Sequence, residues 1–125
     1  MTDARRAIEV QVTNNTNVDL SVRAAVTNGA SSLWIHGEQA DSGQVVKQWE
    51  SVTWGVFTNS EADAASATVS IGGPGNSAID INLNALPDGT GSVVANSNDE
   101  IQATATQIDG TDNHAIWRVV LSLLR

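Results

Sequence analysis

The chain of 125 residues has no cysteine and no tyrosine, a single lysine (Lys47) and two prolines. Without cysteine there is no disulfide framework, no thiolate metal site and no thiol nucleophile. Formal net charge is −8. A surface of that sign repels phosphate backbones and anionic bilayers, which argues against nucleic acid and against binding by a polybasic patch. No apolar run approaches the about 18 residues of a membrane-spanning helix, and the polar start Met1-Thr2-Asp3-Ala4-Arg5-Arg6 lacks the apolar region of a secretory signal. The expectation is a cytoplasmic protein, or one released without a classical signal, forming one domain over residues 1–125.

What is present is alternation. Ile8, Val10 and Val12 alternate with polar residues, as do Val18 to Val26, Ala67 to Ile71, Ile79 to Leu83, Ile101 to Ala105 and Ala115 to Leu123. Period-two patterning broken by Asn28-Gly29, Gly72-Gly73-Pro74-Gly75-Asn76, Pro87-Asp88-Gly89 and Asp109-Gly110 reads as short strands joined by turns. The two runs flanking Gly72–Asn76 read as a hairpin. The last run is apolar on much of both faces, the mark of a central strand or of one covered by another segment. Eight or nine such strands imply an all-β fold, a two-sheet and mainly antiparallel β-sandwich of the cytolysin or lectin kind.

Catalytic chemistry finds no foothold. His36 and His114 stand far apart, and no HExxH, GxSxG or phosphate-loop lysine occurs. The Asp/Asn clusters at 96–100 and 109–113 carry oxygen ligands but lack EF-hand spacing, and read as solvated turns. No cofactor, catalytic residue or metal site is expected.

The aromatics are the better lead. Three of the five, Trp49, Trp54 and Phe57, fall within nine positions. Segments 44–49 and 52–57 form one bent strand or two, and on a regular strand Trp49 and Trp54 face opposite ways. An indole suits a half-wet site, because its ring is apolar and its N–H needs a partner. Trp34, between glycine-bearing loops, is the candidate for exposure. Trp117, and Trp49 or Trp54, are candidates for the core.

Several features in order resemble an aegerolysin. They are the opening strand running into Asn14-Asn15-Thr16-Asn17, Trp34 after a glycine turn, the Gly55 and Glu61 spacing, Asn84-Ala85-Leu86-Pro87-Asp88-Gly89, and Trp117 early in the closing strand. The family's aromatic loop is here Leu86-Pro87-Asp88-Gly89, without an aromatic. The resemblance implies a β-sandwich that recognises a sphingolipid-like headgroup at a membrane, with a larger perforin-like pore-forming protein as partner. It places Trp34 as an interface aromatic and Glu61 as acceptor for a cationic headgroup, with Trp54 and Asp88 completing the lipid-binding set. Two other readings stand beside it: a lectin-like carbohydrate-binding module, and a structural or oligomeric partner without a small ligand.

Overall fold

The computed structural model describes residues 6–60, 62–73, 78–111 and 113–123. Among them there is no helix, and ten strands form two sheets. The strands are β1 (Arg6–Asn14), β2 (Leu20–Thr27), β3 (Leu33–Trp34), β4 (Val45–Val46), β5 (Ser51–Thr58), β6 (Ala65–Gly72), β7 (Ala78–Ala85), β8 (Gly91–Ala95), β9 (Ile101–Thr111) and β10 (His114–Leu123). One sheet has the order β3-β5-β1-β10-β9 and the other β4-β2-β6-β7-β8. All pairings are antiparallel except β1 with β10, which run parallel with Val10 beside Trp117. The expected two-sheet, mainly antiparallel sandwich is therefore what the chain forms.

The alternation read from the sequence is the alternation of burial. Ile8, Val10 and Val12 of β1 face Val69 and Ile71 of β6 and Ile81 and Leu83 of β7 across the interior, all fully buried. Each such side chain contributes roughly 1.5–3 kcal/mol on leaving water, which fixes the register, because a slip of one residue would turn the whole set outward. The sheets close tightly beside β8, where a Cβ on Gly91 would stand 2.5 Å from that of Ala115.

Three expectations change. The stretch 44–49 is not a strand carrying Trp49: β4 ends at Val46, and a turn over Lys47 to Glu50, closed by the Glu50 N–H on the Lys47 carbonyl at 3.0 Å, separates it from β5. Strand β9 runs to Thr111, through Asp109 and Gly110, which the sequence reads as part of a turn. A register shift between Ile116 and Trp117, with Gly110 at φ 108°, lets it keep pairing with β10. Trp117 packs against the core half-buried instead of inside it, and its indole N–H is buried without a partner.

Connectivity sorts the loops into two ends. The β1–β2 turn (15–19), the β4–β5 turn (47–50) and the end of β10 lie at one. The β2–β3, β5–β6, β7–β8 and β9–β10 connections lie at the other.

Candidate functional site

At the first end, β1 closes on Asn14, which is fully buried. Its side-chain amide donates to the carbonyls of Val18 at 2.8 Å and Val46 at 2.9 Å. Its oxygen accepts the Thr16 N–H at 3.1 Å and the Thr16 hydroxyl at 2.5 Å. All of its polar capacity is used to hold the 15–18 turn against β4, so the Asn-rich turn is a built structure rather than a loose loop. The Asn14 backbone then receives the neighbouring turn: its N–H donates to the Glu50 carbonyl at 2.9 Å and its carbonyl accepts the Trp49 N–H at 2.8 Å. Asp19 adds a third tie, its carboxylate accepting the Gln48 N–H at 3.0 Å.

Held this way, Trp49 has φ 67°, and it is the non-glycine residue with positive φ among those described. It occupies the third position of a four-residue turn whose second residue, Gln48, has ordinary φ. That is the type II slot that favours glycine. A bulky residue there costs about 1–2 kcal/mol. The ring does not recover this by packing, because Trp49 is 63% exposed. It borders an open depression of about 510 Å³ with Asn15, Asn17, Ser122 and Leu123. An exposed, conformationally costly aromatic beside amide groups and a leucine suits an amphipathic partner.

The sequence-derived candidates fall elsewhere. Trp54 is a core residue: it is fully buried and its indole N–H donates to Gln44 Oε1 at 3.1 Å. It offers no surface to a lipid or a sugar, because its strand position faces the opposite sheet. Trp34 pairs with Val56 at the sheet edge and is half-buried against the core, not an open platform. Glu61 lies outside the described residues.

Asp88 sits at the opposite end, in the β7–β8 turn. Its carboxylate accepts the Thr90 N–H at 2.9 Å, and that bond holds its pKa below the usual carboxylate range. It lines a polar depression of about 380 Å³ with Gly89, Thr90, Gln107 and Gly110. The β5–β6 loop at this end is anchored by Arg6, which donates to the carbonyls of Ser60, at 2.7 Å, and Asp63. Asp63 accepts the Ser31 hydroxyl at 2.6 Å, and the bonds from Ser31 and Ser60 lower its pKa. Among the described residues no group of three or more histidine, aspartate and glutamate side chains is placed to hold a metal.

Trp34, Trp54 and Asp88 do not converge on one site, and the most exposed aromatic was not among the candidates. Its sequence signal was the polar interruption Lys47-Gln48-Trp49-Glu50, four residues between two β-rich runs.

No protein-family model matches the chain, and no curated protein matches it. Among solved structures the fold is similar to that of the lipid binding protein Nakanori. The TM-score is 0.74 at 8% sequence identity, over 96% of this chain and 72% of that one. At such identity the likeness is one of fold.

Proposed function

We propose that this β-sandwich is a lipid-binding protein that recognises a zwitterionic headgroup of the sphingolipid class at a membrane surface, as a divergent relative of the aegerolysins. In this reading it is the targeting component, peripheral on the target membrane, and a larger perforin-like protein makes the pore. The observation that carries the proposal is Trp49, 63% exposed in a backbone conformation that disfavours it, at the rim of a depression shared with Leu123. The sandwich it stands on is one shared with a lipid-binding protein. A tryptophan ring at a headgroup boundary keeps its apolar face in the interface and its N–H in water. A net charge of −8 disfavours anionic lipids, so the attraction is local and short in range.

A second arrangement places the headgroup at the other end, with Asp88 receiving an ammonium. It is favoured by the Asp88 carboxyl being kept ionised by Thr90.

Vesicle sedimentation tests both. Sphingolipid-containing vesicles are expected to carry the protein down without lysis, and vesicles lacking sphingolipid are not. Loss of sedimentation in Trp49→Ala with retention in Asp88→Asn and Glu61→Gln assigns the Trp49 end, and the converse assigns the other. Failure to sediment with any sphingolipid mixture, or competition by a free sugar irrespective of the lipid, overturns the proposal in favour of an interaction module or a lectin.

A further inference from the structure

We propose that the segment from Ile35 to Gln44 is a pH-sensitive strap, fastened to the outer face of the β5-β1-β10 sheet by a proton shared between the carboxyls of Glu9 and Glu38. The first turn of the strap docks on Gly55 of β5. The Ile35 N–H donates to the Gly55 carbonyl at 2.9 Å, the Gly55 N–H donates to the Glu38 carbonyl at 3.0 Å, and the Glu38 N–H closes the turn on the Ile35 carbonyl at 2.9 Å.

Gly55 is where a side chain is missing and the strap fills the gap. A Cβ there would stand 2.5 Å from Glu38 Oε1, 2.8 Å from Ile35 Cδ1 and 3.0 Å from Glu9 Cγ. Gly55 lies directly opposite Glu9 in the β1–β5 register, so the docked turn lays one carboxyl against another.

Two ionised carboxylates hold only acceptors, so a hydrogen bond between Glu38 and Glu9 requires one proton. Burial, then that hydrogen bond, then the Glu9 charge push the Glu38 pKa up to about 7. Its Oε1 is buried with no partner of its own, which makes the charged form costly.

Among the described residues no cation is placed against Glu38. From β1 the facing group is Glu9. From β10, His114 Nε2 lies 2.5 Å from Glu9 Oε2. Further along the same face Arg118 donates to Gln11 Oε1 at 3.1 Å, and Asp109 of β9 stands opposite Ile116. From β5 there is only Gly55. On the strap itself His36 is exposed.

The direction follows from linkage. Glu38 is raised above its ordinary 4.5, so the folded state binds this proton more tightly than the unfolded chain. The fastening is complete below pH 4.5, weakens as pH rises, and is lost on passing through about 7. The far end of the strap is Gln44, whose carbonyl accepts the Val22 N–H and whose side chain accepts the Trp54 indole. Release at Glu38 therefore loosens a segment whose other end stays anchored, next to the strand that leads into the Trp49 turn.

Amide exchange followed by NMR without lipid tests the strap apart from any membrane reading. After correction for intrinsic base catalysis, protection of the Ile35 and Gly55 amides is expected to fall more than about tenfold between roughly pH 5 and pH 8.5, since each unit of pKa shift is tenfold in the linked equilibrium. In Glu38→Gln the dependence is expected to disappear, and a carboxyl titration is expected to show Glu38 ionising near neutrality. Should Glu38→Gln not fold, Glu9→Gln carries the same test. Constant protection in the wild type, or pH-dependent protection that persists without the Glu38 carboxyl, would overturn the proposal.

Discussion

The Asn14 carbonyl accepts the N–H of Trp49 at 2.8 Å, so the last residue of β1 holds the most exposed aromatic of the described chain in place. Asn14 is fully buried and Trp49 is 63% exposed. The interior of the sandwich thus dictates the backbone conformation of a surface residue, and the cost of that conformation is met by a network that never touches the ring.

The Trp49 position should tolerate glycine. Trp49→Gly removes an exposed ring and a Cβ from a left-handed backbone, so stability in urea is expected to stay within about 1 kcal/mol of wild type, on the stabilising side. Binding to sphingolipid vesicles is expected to be lost. A destabilisation beyond that range would mean that the ring is packed, not presented.

Asn14→Ala should be costly for its size. It leaves the Val46 carbonyl and the Thr16 N–H without their Asn14 partners, while the Thr16 hydroxyl and the Val18 carbonyl keep each other at 2.9 Å, and two orphaned buried groups sum to about 2–4 kcal/mol. Urea unfolding measures it. The same variant should broaden the Trp49 resonances by releasing its turn.

The tryptophans should rank by accessibility. In single-tryptophan proteins, acrylamide is expected to quench Trp49 most and Trp54 least, with Trp34 and Trp117 between. Trp54→Ala is expected to cost about 3–5 kcal/mol, the scale for emptying a large buried side chain. Equal quenching of Trp49 and Trp54 would contradict the turn at 47–50.

Gly55→Ala should disturb the turn over it. The added methyl falls within 3.0 Å of Glu38, Ile35 and Glu9 atoms, and overpacking of this kind costs about 1–3 kcal/mol. Combining it with Glu38→Ala should recover part of the loss, which a double-mutant cycle reads as coupling. Strict additivity would show that the two do not meet.

Acid should act through Asp63. Its folded pKa is lowered, first by the Ser31 hydroxyl and then by Ser60. The linked stabilisation is therefore present at neutral pH and lost as pH falls through that lowered value. Ser31→Ala is expected to move the Asp63 midpoint upward in an NMR titration, and an unmoved midpoint would remove Ser31 as the cause.

The sequence by itself determined the class of fold. Strict alternation at Ile8 to Val12, Ala67 to Ile71 and Ile79 to Leu83, punctuated by glycine turns, leaves one way to bury every second residue, and the antiparallel pairing of β6 with β7 follows from local chain alone. It also marked β10 as central or covered by another segment, and its place between β1 and β9 makes it central, while Arg118 on its outer face stays exposed. The parallel pairing of β1 with β10 was not legible. It joins residues more than 100 positions apart, and hydrophobic periodicity does not encode which strands become neighbours. The site was less legible still. Trp49 and Trp54 are the same residue type five positions apart, and local pattern offered either one to the core. Only the tertiary structure separates them: Asn14 pins a turn at Trp49 and turns its ring outward, while the β1–β5 register carries Trp54 beside Val10 into the interior. The Glu9–Glu38 pair arises in the same way, because the absent side chain of Gly55 leaves the space in which two distant carboxyls meet.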